Sequence, residues 1–214
     1  MKILLLTGPG GDAQGWGDMK VTESVRQACE SLGHPTRIAY VNDEAEFLRL
    51  VDEPDFDIAW SALYHITPNE AFIGRNAEGL WVADVFDDRR IPYIGSDSRT
   101  MKAMIDKFRT HEILAAAGVA VPAHVLLRSG DDAAAVTYPA FVKPICESRS
   151  VGISDESVVH DEAELRRRVA FIEKEFDEPA LVEEFLPGDE YTALVLGNGR
   201  TREVLPGQVT VEDS

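Results

Sequence analysis

Two segments of the sequence carry residues whose types and spacing suit nucleotide chemistry. The first is an apolar run over residues 141–144 that contains Lys143 and leads into a polar loop over residues 147–152. A lysine that ends a buried strand needs a counter-charge or a route to water. Serine hydroxyls, a guanidinium and a glycine in the following loop are suitable donors for an anion. This segment therefore predicts a phosphate-binding loop to which Lys143 contributes a cation.

The second segment covers residues 181–190, where carboxylates interrupt another apolar run. The two-residue period of a strand puts Glu183 on one face with apolar neighbours, where an unpaired carboxylate is costly. An adenine amino group packed beside apolar side chains would offset that cost. Glu190 follows a Pro-Gly turn and is placed to accept ribose hydroxyls. The alternative, an acid that faces water from an edge strand, is favoured for Glu184.

Strands and helices alternate over the first hundred residues, before these two segments. The pattern predicts strands at residues 3–6, 36–41, 57–63 and 91–95, and helices at residues 21–32, 44–51 and 79–88. Such alternation predicts a parallel, doubly wound α/β domain, here over residues 1–98, with ligands at the carboxyl ends of its strands. His65 follows the third strand, where it is either a substrate contact or a hydrogen-bonded structural histidine.

The pattern changes after residue 98. One long helix is predicted at residues 99–117, a second helix at 162–175, and strands at 138–142, 158–159, 180–185 and 191–196. These elements predict a small α+β unit with an antiparallel sheet over residues 99–188. Residues 189–214 are predicted to begin a further, incomplete unit.

Composition limits the classes of binding partner and the cellular compartment that we expect for this protein. The chain has 214 residues, 44% of them hydrophobic and 28% charged, which is typical of a globular protein. A net charge of -17 disfavours nucleic acids and anionic membranes as partners. Cys29 and Cys146 show no metal-type spacing, and the apolar run at residues 3–6 is too short for a signal peptide. We therefore expect a reduced, cytoplasmic protein.

Five segments, in their order along the chain, resemble motifs of a known family. They cover residues 91–96, 104–109, 117–122, 141–152 and 181–190. Together they resemble the ATP-grasp superfamily, and most closely its D-alanine–D-alanine ligase branch. The resemblance implies an N-terminal pre-ATP-grasp domain followed by a central ATP-grasp domain. It also implies that ATP phosphorylates a carboxylate and that an amine attacks the acyl phosphate to form an amide, as in peptidoglycan-type ligation of small amino acids.

The resemblance assigns residues to this chemistry. It implies that Lys107 and Lys143 hold the ATP phosphates, and that residues 150–152 belong to a mobile loop that closes over them. It implies that residues 183–186 contact adenine and that Glu190 binds ribose. The residues so assigned to ATP are Lys107, Lys143, Glu147, Ser150, Val151, Gly152, Glu183, Phe185, Leu186 and Glu190. Ser150 and Arg149 are the residues expected nearest the reaction.

The chain departs from the family pattern at two places on the substrate side. Related ligases carry Gly-Ser-Ser where this chain has Ser148, Arg149 and Ser150. The change puts a D-alanine substrate in question, because the guanidinium could bind a substrate carboxylate through two hydrogen bonds. The amino-binding glutamate of the family has no clean counterpart, and Asp18 is its nearest candidate. Asp18 and His65 are therefore the expected substrate contacts.

The metal site of the family lies outside these residues. Its ligands, an aspartate and a Glu-x-Asn pair, are expected beyond Ser214 together with a catalytic arginine, so no metal ligand is assigned although Mg²⁺ is an expected cofactor. We expect a chain of this length to be inactive alone. The resemblance also implies a possible homodimer. Two alternatives stay open: a specialised amino-acid or peptide ligase of a natural-product pathway, and a non-catalytic nucleotide-binding module.

Overall fold

The computed structural model describes residues 1–15, 18–52, 54–66, 72–74, 79–132 and 135–210. The chain divides into two compact units, Met1–Glu184 and Phe185–Ser214. The boundaries expected after residues 98 and 188 stay predictions. In the described part of the chain, no helix combines the length and apolar character that crossing a membrane requires.

The first half of the chain alternates strands and helices. In chain order these are β1 (Ile3–Thr7), α1 (Gly11–Gln14), α2 (Met19–Ser31), β2 (Thr36–Tyr40), α3 (Glu44–Asp52), β3 (Ile58–Ser61), β4 (His65–Ile66), β5 (Leu80–Trp81), α4 (Val82–Arg89) and β6 (Tyr93–Ile94). Strands β2, β1, β3 and β6 pair in that order, all parallel. This arrangement confirms the predicted parallel α/β fold.

Helices cover both faces of this parallel sheet. The connection from β1 to β2 runs across the sheet in one direction, and the connections from β2 to β3 and from β3 to β6 run in the other. Because crossovers between parallel strands are right-handed, α2 lies on one face of the sheet, and α3 and α4 lie on the other. Every residue of β1 is buried as a result. Leu4 and Leu6 point to the face that holds Phe47 of α3 and Phe86 of α4. The two phenylalanine rings meet edge to face, with centroids 5.9 Å apart.

The rest of the first unit forms a second layered structure. Its elements are α5 (Ser98–Ile105), α6 (Lys107–Ala116), β7 (His124–Leu127), β8 (Ala140–Pro144), β9 (Val158–Val159), α7 (Glu162–Phe176) and β10 (Ala180–Glu184), with a short 3₁₀ turn at Asp155–Ser157. The four strands pair antiparallel in the order β7, β10, β8, β9. Helix α7 packs Leu165, Val169 and Ile172 against one face of this sheet. The predicted antiparallel sheet is confirmed.

The single helix predicted over residues 99–117 is wrong, because the chain forms two helices that meet at Asp106. The backbone of Asp106 is extended, with φ -82° and ψ 103°, and its carboxylate accepts a hydrogen bond from the Arg109 amide at 2.9 Å. An aspartate in this position satisfies amides that a new helix would leave unpaired. Lys107 is therefore the first residue of α6, and its amide donates to the Ile145 carbonyl at 3.0 Å.

The second unit contains an antiparallel ribbon. Strands β11 (Glu190–Leu196) and β12 (Glu203–Val209) pair along their whole length, with Ala193 opposite Pro206, and a 3₁₀ turn at Gly199–Thr201 lies between them. All residues of both strands are exposed. The strand predicted at residues 191–196 is confirmed. The expected strand-like tail from Gln208 onward lies mostly in residues 211–214, outside the described residues.

Candidate functional site

A buried ion pair lies on the face of the antiparallel sheet opposite helix α7. Strands β8 and β10 place Lys143 opposite Leu181 and Glu183 opposite Phe141, so all four side chains share that face. The Lys143 Nζ atom lies 2.6 Å from Glu183 Oε2. The two side chains are only 19% and 8% exposed. Each charge therefore offsets the cost of burying the other.

The second carboxylate oxygen of Glu183 has a different environment. His111 Nε2 lies 3.2 Å from Glu183 Oε1 but outside hydrogen-bond geometry, and Oε1 has no other donor among the described residues. The His111 ring contacts the ring of His124, with centroids 4.8 Å apart. Burial lowers the pKa of His111, so the imidazole is neutral at pH 7. A buried acceptor without a donor is suited to an amino group from a ligand.

Lys107 approaches the same region from helix α6. Its ammonium donates hydrogen bonds to the Ile145 carbonyl, at 3.2 Å, and to the Glu147 carbonyl. Burial lowers the pKa of Lys107, and the nearby charge of Lys143 lowers it further. Both lysines that the sequence assigned to phosphates thus lie around the segment that follows β8.

The loop over residues 147–152 is held by its own main chain and by Glu147. The Val151 amide donates to the Ser148 carbonyl and the Ile153 amide to the Ser150 carbonyl, each at 3.0 Å. The Glu147 carboxylate is buried and accepts the amides of residues 73 and 74 at 3.2 and 2.9 Å. Glu147 therefore anchors the start of the loop, and its assignment to ATP stays a prediction.

The middle of the loop contacts the end of the parallel sheet. The Arg149 guanidinium pairs with the Asp12 carboxylate at 2.7 Å and also donates to the Asp12 carbonyl. The Ser148 hydroxyl donates to the Ala13 carbonyl at 3.0 Å. Helix α1, which holds both partners, follows β1 at the point where the strand order reverses, and ligands of doubly wound sheets bind there. Ser150 is exposed beside this contact.

The two predicted substrate residues have structural contacts. Asp18 caps helix α2, where its carboxylate accepts the amides of Lys20 and Val21 at 2.9 and 3.0 Å. His65 is fully buried, with its ring edge to face against Trp81 at 5.3 Å, and burial lowers the pKa of His65 to about 4. A neutral, enclosed imidazole is therefore expected at pH 7. Both substrate assignments stay predictions.

Sequence reasoning missed three residues around this site. Gln14 is buried and accepts the amides of Tyr64 and His65 at 2.8 and 3.0 Å, which joins the segments after β1 and β3. Glu178 accepts the Cys146 amide at 2.9 Å, and burial raises the pKa of Glu178 to about 7. His111 had one available signal: it lies four residues after Lys107, on the same side of a helix that begins there.

Three residues assigned to the nucleotide lie in the second unit. Phe185 and Leu186 begin that unit, and Glu190 is the first residue of β11, opposite Val209. Their assignments to adenine and ribose stay predictions. Lys107, Lys143, Glu147, Glu183 and the loop up to Gly152 lie in the first unit. Among the residues that the structure describes, no group of three or more His, Cys, Asp or Glu side chains could hold a metal ion.

Comparisons with known proteins agree with this architecture. A family model described as "D-ala D-ala ligase C-terminus" matches residues 113–214. A D-alanine–D-alanine ligase from Polaromonas sp. is 34% identical over 172 residues, which cover 74% of this chain and 50% of that relative. The same enzyme from Syntrophotalea carbinolica is 29% identical over 199 residues, covering 91% and 59%. The chain thus spans about half the length of the curated relatives that it matches.

A solved structure shows the class of fold. The D-alanine–D-alanine ligase from Helicobacter pylori superposes with a TM-score of 0.65 at 15% identity, covering 96% of this chain and 73% of that one. The parallel sheet followed by an antiparallel sheet is thus the arrangement of ATP-grasp proteins. Within that class, the family model over residues 113–214 and the relatives support the D-alanine–D-alanine ligase-like family.

Proposed function

We propose that the gene product is an ATP-dependent carboxylate–amine ligase that joins small amino acids, with D-alanine as the first candidate. The observation that carries the proposal is the Lys143–Glu183 pair, 2.6 Å apart on a sheet face beside the loop at residues 147–152. Lys107 adds a second, partly buried ammonium at the start of that loop. Two cations beside a loop of hydrogen-bond donors suit a polyphosphate.

The residues around Glu183 fit the base of ATP. Glu183 Oε1 is buried without a hydrogen-bond donor among the described residues, and the adenine amino group would supply one. Phe141 lies on the same face and is partly exposed, so it offers apolar contact to the ring. We assign the phosphates to Lys143, Lys107 and the main chain of the loop.

ATP supplies an activated phosphoryl group, which converts a carboxylate into an acyl phosphate that an amine can attack to form an amide. The role of this chain is electrostatic and positional. The two lysine ammonium groups and the amides of Ser150 and Gly152 are proposed to neutralise charge that develops on the transferred group. Closure of the loop would also keep water from a reactive acyl phosphate.

Arg149 is the proposed contact for a substrate carboxylate. Its guanidinium binds the carboxylate of Asp12 at 2.7 Å in this structure, so it can already recognise that group. We propose that a substrate carboxylate replaces Asp12 there. Ser150 follows Arg149 in the chain and is exposed. We propose that its hydroxyl lies next to the reacting groups.

Further parts of the proposal rest on similarity to the family and on charge. Mg²⁺ is the proposed metal cofactor, and none of the described residues is assigned to it. We propose a cytoplasmic location and small-molecule substrates. We propose no nucleic-acid partner, because a net charge of -17 repels a phosphate backbone. A homodimer is proposed from the family alone. The relatives named above are called ligases, which favours an enzyme over a non-catalytic nucleotide-binding module.

The proposal is tested by ATP-dependent phosphate release from the complete gene product with a panel of D- and L-amino acids and Mg²⁺. We expect D-alanine to stimulate release and a dipeptide to be detected by mass spectrometry. A strong preference for another amino acid would instead support a specialised peptide ligase. If no amino acid raises phosphate release above the rate with ATP alone, the ligase proposal is wrong.

A further inference from the structure

Arg168 of helix α7 is a buried cation that the proposed function does not use. It is 4% exposed, and it lies on the helix stripe with Leu165, Val169 and Ile172 that packs against the sheet. Among the described residues, no carboxylate lies within ion-pair distance of its guanidinium. A guanidinium keeps its charge in a protein interior, so burial without a counter-ion is costly unless hydrogen bonds compensate.

The hydrogen bonds of Arg168 identify the segment that it holds. Its Nη2 atom donates to the Gly152 carbonyl and to the Ser157 hydroxyl, the latter at 3.0 Å. The Ser157 hydroxyl in turn accepts the Ser154 amide at 3.0 Å. The guanidinium also lies 4.7 Å from the centre of the Phe171 ring. Arg168 therefore connects helix α7 to both sides of the turn that leaves the loop.

Gly152 is the last residue of that loop and has little freedom to move. Its φ is +74°, and a side-chain carbon at this position would lie 2.6 Å from Pro144 Cγ and 2.8 Å from Phe176 Cζ. The other end of the loop is held by Lys107, which donates to the Ile145 and Glu147 carbonyls. The partly buried Lys107 thus binds main-chain carbonyls at one end of the loop, and the buried Arg168 binds one at the other end.

We propose that Arg168 is a positioning residue for phosphate binding: by holding the Gly152 carbonyl, it fixes the end of the loop that is proposed to bind the nucleotide phosphates. This inference rests on the proposed function, because it takes the loop at residues 147–152 as the phosphate site. It assigns Arg168 no contact with the nucleotide. Replacing Arg168 should therefore weaken the binding of ATP, which carries phosphates, and leave the binding of adenosine, which has none, unchanged.

The test compares two ligands and three variants of the complete gene product. Isothermal titration gives Kd for ATP with Mg²⁺ and Kd for adenosine, which lacks phosphates. Arg168→Met removes the donors and keeps most of the volume, and Arg168→Lys keeps the charge and can reach one acceptor. Arg167→Met is the matched control, because Arg167 is the exposed neighbour on the same helix.

We expect Arg168→Met to raise Kd for ATP by about 10-fold or more, the size expected for losing a charged hydrogen bond, with adenosine within about twofold of the wild type. Arg168→Lys should be intermediate and Arg167→Met unchanged. Unchanged affinity for ATP in Arg168→Met, or an equal loss for ATP and adenosine, would overturn the inference. If Arg168→Met does not fold, Arg168→Lys is judged by the same comparison of the two ligands.

Hydrogen exchange separates this inference from the proposed function. The amides of Val151 and Ile153 are bonded within the loop, so their exchange reports loop order directly. In Arg168→Met both should exchange faster while amides of helix α7 keep their protection, and equal protection in the loop would refute the positioning role. A wild type that shows this loop order but binds no ATP would refute the proposed nucleotide site alone.

Discussion

The side chain of Lys143 leaves the antiparallel sheet on the face opposite helix α7, beside Glu183. The two-residue period of a strand accounts for this, since it places Ala140 and Val142 on the other face, where both are buried in the core. The sequence analysis expected an adenine amino group to offset the cost of burying Glu183, and in the structure Lys143 lies 2.6 Å from that carboxylate. Local period and charge thus indicated the cost, but not that these two side chains pair.

The contacts of Gln14, His111 and Glu178 could not be predicted in the same way. Each partner lies far away in sequence: Gln14 contacts residues 64 and 65, His111 contacts Glu183, and Glu178 contacts Cys146. Such contacts depend on how elements pack. For Arg168 the sequence held one signal, a charged residue on the otherwise apolar stripe of a predicted helix.

Glu178 makes folding stability depend on pH. Burial raises the pKa of Glu178 from 4.5 to about 7, so between these values the folded protein keeps a proton that the unfolded chain has released. The free energy of unfolding therefore falls as pH rises from about 4.5 to 7, by roughly 3–4 kcal/mol at most. Glu178→Gln should remove this part of the pH dependence and be more stable than the wild type at pH 8.

Urea denaturation at pH 5, 6, 7 and 8 measures this difference. The matched control is Glu173→Gln, an exposed glutamate on helix α7, whose pH profile should parallel that of the wild type. If Glu178→Gln also parallels the wild type across this range, the carboxyl of Glu178 does not hold a proton in the folded protein.

The break between helices α5 and α6 could not be predicted from the sequence pattern. Residues 99–117 contain no proline or glycine, so periodicity predicted one helix. The break arises because Asp106 caps a new helix and the Lys107 amide binds the Ile145 carbonyl instead of a helical partner. Only the tertiary contact with the segment after β8 reveals this. That contact is also what buries Lys107.

The turn at Gly152 leads to a prediction about the loop as an element. Gly152 and Gly118 have nearly the same backbone angle, φ +74° and +78°, but only Gly152 is crowded by Pro144 and Phe176. Gly118→Ala should lower the free energy of unfolding by about 1 kcal/mol through the left-handed backbone alone. Gly152→Ala should lower it by a further 1–3 kcal/mol or so, because a methyl group must displace packed atoms.

Chemical denaturation of the two variants side by side makes this comparison. Nothing lies within 4 Å of a methyl group at Gly118, so this variant isolates the backbone cost from the packing cost. Equal losses for the two alanine variants would show that the end of the loop can move away from Pro144 and Phe176 without cost.

At the scale of the whole molecule, the order of elements was predictable and the approach of distant segments was not. Alternating strands and helices predicted the parallel sheet, and the later run of strands predicted the antiparallel one. The sequence did not predict that Arg149 and Ser148 would contact Asp12 and Ala13, more than a hundred residues earlier. That contact brings the proposed phosphate loop to the reversal point of the parallel sheet.

The central claim is that Lys143, with Glu183 and Lys107, binds ATP. Isothermal titration of the complete gene product with ATP and Mg²⁺ tests it most directly, with Lys143→Met as the variant and Lys174→Met, an exposed lysine of helix α7, as the control. We expect saturable binding that Lys143→Met weakens by about 10-fold or more and Lys174→Met leaves unchanged. The absence of binding heat in the wild type, or equal affinity in Lys143→Met, would contradict the claim.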